Sequence, residues 1–130
     1  MAVILEPNSG GDHLMINWWT WRPTVAILER AGILPSGERT ERCLANGCGG
    51  HLTGEEAVRA AARVEALLEG LAPNERVLMD GEKSLEERAT REKSVGEWDD
   101  EDLRQVYGAD AGWLGRFARF CRSSGGFTVL

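Results

Sequence analysis

The sequence predicts an α+β fold: a small, largely antiparallel sheet, built from an N-terminal hairpin and a C-terminal strand, with about three helices packed on it. Three observations carry this. Two short β-compatible runs flank a glycine-rich turn near the N-terminus. An alanine- and leucine-rich segment with a capping box occupies the middle. An aromatic helical segment ends in Gly125-Gly126 and leads into Phe127-Thr128-Val129-Leu130.

The elements follow in order. Val3-Ile4-Leu5 and His13-Leu14-Met15-Ile16 read as strands, joined through Pro7-Asn8-Ser9-Gly10-Gly11-Asp12. A helix follows with two candidate caps, Asn17 and Thr20. Proline has no N–H to donate, so Pro23 is best placed in a first turn. That favours Thr20 as the cap and a helix over 21–31, with Trp21, Val25 and Leu28 on one face, Gly32 as its stop and Pro35 behind it. Residues 35–52 read as a loop. Thr53-Gly54-Glu55-Glu56 then makes a capping box. Ala57, Ala60, Ala61, Val64, Leu67, Leu68 and Leu71 fill one arc of the helix behind it, and Glu55, Arg59, Arg63, Glu65 and Glu69 fill the other. Pro73 limits that helix.

Residues 74–100 read as a charged insertion. Val77-Leu78-Met79 is too short to assign. Ser84 to Lys93 has helix formers and capping-box spacing but almost no apolar face, so it reads as either a solvated helix or a mobile insertion. Asp99 or Asp100 caps a short helix through Val106. The last helix starts behind Asp110 and runs to about Ser123. Its apolar arc is Trp113, Leu114, Phe117, Phe120 and Cys121, and its polar arc Arg116, Arg119 and Arg122. The expected core is Val3, Leu5, Leu14, Ile16, Trp21, Val25, Leu28, Val64, Leu68, Leu71, Leu114, Phe117, Phe120 and Val129.

Composition bounds the function. The 130 residues correspond to one domain, and 42% hydrophobic with 28% charged residues is a globular balance. Three cysteines do not make a disulfide scaffold. The apolar N-terminal run carries no basic lead and ends at Leu5, so it does not read as a signal peptide, and no run approaches the roughly 18 residues of a membrane span. These features predict a cytoplasmic protein without a membrane partner. The net charge is −6, and residues 82–102 hold nine acids and four bases, or −5. Such a chain is a poor ligand for phosphate backbones, so no nucleic-acid partner is expected.

No cofactor and no catalytic residue is expected. Cys43, Cys48 and His51 have C-x4-C-x2-H spacing, but zinc needs a fourth ligand from distant Cys121 or His13, and the paired C-x2-C or H-x3-H element is missing. The loop Gly47-Cys48-Gly49-Gly50-His51 precedes a helix, yet Leu52 stands in place of a third glycine and no Lys-Ser/Thr pair follows. Asp12 and His13 are adjacent on a strand and point to opposite faces, which argues against an acid–base pair.

Two features point to a protein partner. Trp18, Trp19 and Trp21 are dense, and Trp19 projects away from the other two, which leaves it either packed or an interface anchor. The acidic segment with Asp99, Asp100, Glu101 and Asp102 is either a surface for a basic protein partner or a solvated insertion kept polar for solubility. The expected function is a non-catalytic protein-interaction protein, such as an inhibitor or immunity-type binder; a small-molecule-binding or enzymatic domain is the alternative.

The run Asn17-Trp18-Trp19-Thr20-Trp21-Arg22-Pro23, the capped alanine-rich helix and the ending Phe120-Cys121-Arg122-Ser123-Ser124-Gly125-Gly126-Phe127 together resemble a loose group of small bacterial proteins of unknown function. The resemblance covers both ends and the centre. It implies a bacterial, cytoplasmic α+β protein and transfers no site residues.

Overall fold

Backbone pairing decides where each strand begins and ends. The computed structural model describes residues 2–33, 50–85, 96 and 99–130, with the side chains of 101–103 left aside. Residues 84–93, read as either a solvated helix or a mobile insertion, fall mostly outside the described residues, as do most of the expected loop 35–52 and both Cys43 and Cys48.

The N-terminal hairpin consists of β1 (Ala2–Pro7) and β2 (Leu14–Asn17), paired antiparallel with Val3 opposite Ile16 and Leu5 opposite Leu14. The C-terminal strand β7 (Gly126–Val129) lies on the other side of β1, with Leu5 opposite Val129 and Pro7 opposite Phe127. Strand β3 (His51–Thr53) then pairs with β7 and completes an antiparallel sheet of order β2-β1-β7-β3. Period-two alternation puts Val3, Leu5, Phe127, Val129 and Leu52 on the buried face. Ile4 and the exposed Met15, a cross-strand pair, lie on the other.

Helix α1 (Trp18–Arg30) starts three residues before the expected position. Asn17 is both the last residue of β2 and the helix cap, its Oδ1 accepting the Thr20 N–H at 2.9 Å. Pro23 therefore lies inside the helix, the arrangement that the first-turn preference of proline argued against. The ring is buried, which offsets part of that cost, and the Thr24 hydroxyl donates to the Thr20 carbonyl at 2.9 Å, a side-chain bond common where helices bend.

Helix α2 (Gly54–Glu69) follows the sequence reading. Thr53 Oγ1 accepts the Glu56 N–H at 3.2 Å and Glu56 Oε1 accepts the Thr53 N–H at 3.0 Å. Ala57, Ala60, Ala61 and Val64 are buried, which brings α2 close against the last helix. Thr53→Ala is expected to cost about 1 kcal/mol in urea denaturation, with Thr53→Ser close to wild type. Equal midpoints for all three proteins would show that the cap contributes nothing.

Two strands from the expected insertion, β4 (Arg76–Leu78) and β5 (Lys83–Ser84), join β6 (Gly108–Asp110), which lies beyond it, in a second antiparallel sheet of order β5-β4-β6. Ser84 is a strand residue paired with Arg76. Helix α3 (Asp100–Val106) precedes β6, and α4 (Ala111–Ser124) follows it, capped by Asp110 Oδ1 on the Trp113 N–H at 2.7 Å.

The core lies where α1, α2 and α4 cover the larger sheet. Phe117 has ring contacts with Trp21 at 6.0 Å, Trp113 at 5.6 Å and Phe127 at 6.0 Å. Trp113 Nε1–H donates to Thr24 Oγ1 at 2.8 Å, so the one polar atom of that buried indole is satisfied. Five expected core residues, Leu14, Ile16, Leu68, Leu71 and Phe120, are half-buried and pack on the core's rim. They sit on the edge strand, in or just after the last turn of α2, and on the flank of α4, where the neighbours cover one side only. Arg122 on α4 ion-pairs with Glu65 on α2, and that guanidinium holds the Glu65 carboxyl below its ordinary range.

Candidate functional site

Starting α1 at Trp18 puts Trp18 and Arg22 four residues apart on one helix face, where side chains meet. The Arg22 guanidinium lies 5.5 Å from the Trp18 ring centroid. Its other neighbour is Tyr107, whose ring centroid is 5.4 Å away and whose hydroxyl is 3.4 Å from Nη1. Two aromatic rings therefore hold one cation between them. Arg22 Nε is sealed inside this cluster without a hydrogen-bond partner.

Trp19 joins the cluster from the next position. Its ring centroid is 4.8 Å from that of Tyr107, with the planes tilted by 53°. The side chain remains 39% exposed, so the indole is partly packed and partly presented to solvent.

Tyr107 is the residue after α3, and that links the aromatic cluster to the acidic segment. Asp99 and Asp100, at the start of α3, are exposed, and Glu101 and Asp102 lie on its first turn. A helix rises about 1.5 Å per residue, so the seven residues of α3 place these acids roughly 10 Å from Tyr107 along its axis.

The far end of α3 is anchored to the small sheet. Arg76 donates to the Gln105 carbonyl at 2.6 Å and to Gln105 Oε1 at 3.2 Å, and the Ser84 hydroxyl donates to the same Oε1 at 2.9 Å. Gln105 is buried, so these bonds offset the cost of removing its amide from water. Arg104 bridges Asp80, at 3.0 Å, and Glu82. The Asp80 carboxyl is held below its ordinary range by the Glu82 backbone N–H and then by Arg104.

The two sequence candidates are connected through Tyr107: Trp19 packs on its ring, and α3, which begins at Asp100, ends just before it. The sequence reading did not pick out Trp18, Arg22 or Tyr107 as a group. The Trp18–Arg22 spacing becomes a helical pair only when the helix begins at Trp18, and a start at Trp21 conceals it.

Other chemistry is not assembled among the described residues. No group of three His, Cys, Asp or Glu side chains is placed to hold a metal ion. His13 Nε2 lies 4.0 Å from Glu6 Oε2 across the hairpin, on an exposed face. Cys121 is buried in α4, and burial raises its thiol far above the ordinary range, which makes it unreactive. An open groove lined by Ala26, Glu29, Arg30 and Met79 converges on no catalytic pair. No described helix is long and apolar enough to cross a membrane. No family model, curated protein or solved structure matches the chain.

Proposed function

We propose that this chain is a non-catalytic protein-interaction protein that engages a basic protein partner, as an inhibitor or immunity-type binder does. The observation that carries the reading is the contact of the part-exposed Trp19 with Tyr107, the residue that follows the acidic helix α3. Tryptophan is a frequent interface anchor because it buries much area at small entropic cost. Clustered carboxylates accelerate encounter with a basic surface and disfavour acidic competitors.

Capture from the native host with mass spectrometry identifies the partner, and kinetics then test the surface. With Asp99, Asp100, Glu101 and Asp102 changed together to Asn or Gln, association is expected to slow by about tenfold at low salt, and its salt dependence to flatten. The fold is checked by circular dichroism. An unchanged association rate removes the acidic segment from the interface.

A further inference from the structure

We infer that Arg22 is a docking point for a single carboxylate from outside the chain. The inference goes beyond the proposed function, because it depends neither on Trp19 nor on the acidic segment. Three observations lead there. Four other arginines find oxygen partners within the chain: Arg104 takes Asp80 and Glu82, Arg122 takes Glu65, Arg76 takes Gln105 and Arg30 takes the Met79 carbonyl. Arg22 is half-buried, yet among the described residues no carboxylate pairs with it. Ring faces hold its cation instead, the Trp18 centroid at 5.5 Å and the Tyr107 centroid at 5.4 Å, and they leave its N–H donors without strong acceptors. Those donors are not equivalent. Nε is sealed, Nη1 has only the long contact of 3.4 Å to the Tyr107 hydroxyl, and Nη2 has no partner among the described residues and is not sealed. The open corner of the guanidinium is therefore Nη2, with Nη1 beside it.

The chemistry selects the ligand. A guanidinium donates from a planar fork, and a carboxylate meets two of its nitrogens in that plane, so it reaches Nη1 and Nη2 end-on without parting the rings. Side-on pairing through the sealed Nε is denied. Phosphate carries more charge and calls for further cations, whereas Arg104, three positions before Tyr107, is committed to Asp80 and Glu82 and the chain as a whole carries −6. A carboxylate at Nη2 supplies the acceptor that Arg22 lacks, in a half-buried place where the pairing is stronger than at an exposed arginine. It comes from a side chain of a docking protein or from a free organic acid, and the experiment separates the two.

The test uses the full chain with isotope-labelled arginine and tryptophan, and follows their side-chain N–H resonances by NMR while acetate replaces chloride at constant ionic strength. The sealed Nε–H of Arg22 exchanges slowly with water, which separates it from the exposed Arg59 and Arg63. Its resonance is expected to shift saturably with a midpoint on the order of tens of millimolar, while those of Arg59 and Arg63 drift linearly. The Trp18 indole resonance is expected to follow the same curve and to lose it in Arg22→Lys, which keeps the charge but not the fork. Inorganic phosphate is expected to bind no more tightly than acetate. Two peptides, acetyl-Gly-Glu-Gly-amide and acetyl-Gly-Gln-Gly-amide, identify the source. A glutamyl peptide severalfold tighter than acetate, with the glutaminyl peptide silent, marks the side chain of a docking protein, and a glutamyl peptide weaker than acetate marks a free acid.

An Arg22 response to acetate as linear as that of Arg59 overturns the inference. So does tighter binding of phosphate, or a Trp18 curve that persists in Arg22→Lys. If that variant does not fold, the titration of the unmodified chain with acetate and phosphate decides by itself.

Discussion

Gly126→Ala is expected to remove about 4 kcal/mol of stability, from a strained backbone and from overpacking together. Gly126 sits at φ +97°, in the region that side chains rarely adopt. A Cβ added there stands 2.6 Å from the Leu52 carbonyl oxygen and 2.9 Å from the Gly54 nitrogen, both backbone atoms, and 2.7 Å from Asn8 Nδ2. The two backbone neighbours belong to β3 and the start of α2, so relief of the clash requires parting β3 from β7. Gly125 provides the contrast. It has φ +67° as the left-handed end of α4, but nothing lies within 4 Å of its added Cβ. Gly125→Ala should therefore cost only about 1–2 kcal/mol. Urea denaturation of both variants checks this. Equal losses at the two positions would mean that the β3–β7 contact yields easily and that close approach is not what selects the second glycine.

Phe117→Ala is expected to cost about 3–5 kcal/mol, a large share of the stability of a domain this size. The ring is fully buried and meets Trp21 of α1, Trp113 of its own helix and Phe127 of β7. Truncation leaves a cavity among rigid aromatic neighbours that cannot collapse into it. Phe117→Leu fills most of that volume and should lose less than half as much. A loss below about 1 kcal/mol for the alanine variant in chemical denaturation would place α4 with another face inward.

The elements that were legible in the sequence are those whose cues are local. Thr53 and Glu56 satisfy each other's backbone within one turn, so the start of α2 needs no partner element to define it. Asp110 and Gly125 bracket α4 in the same way. The apolar arc of α4 identifies its buried face because Trp113, Leu114, Phe117 and Cys121 recur at helical spacing. Alternation along Val3-Ile4-Leu5 and the terminal Phe127-Thr128-Val129 made the sheet's centre recognisable and led to the α+β class, which the structure has.

Within the site, the helical period alone turned Trp19 away from Trp18 and Trp21, and the charge count alone marked Asp99 to Asp102. The sequence by itself thus determined the fold class and the caps and buried faces of α2 and α4, and it singled out Trp19 and Asp99 to Asp102.

Tertiary structure decided what depends on distant hydrogen-bond partners. Asn17 caps α1 because β2 runs up to it in register with Ala2, a pairing that outweighs the local preference of Pro23. β3 and β6 contain Gly, Ala, His and Asp, and they are strands only because β7 and β4 offer ladders beside them. The same holds for the site. Eighty-eight positions separate Trp19 from Tyr107, and no local rule connects them. The packing of α1 against β6 and the anchoring of α3 through Gln105 bring the two rings to 4.8 Å. Caps and periodicity act over a few residues, within reach of the sequence, whereas short strands and surface clusters gain their free energy from partners that only the folded chain supplies.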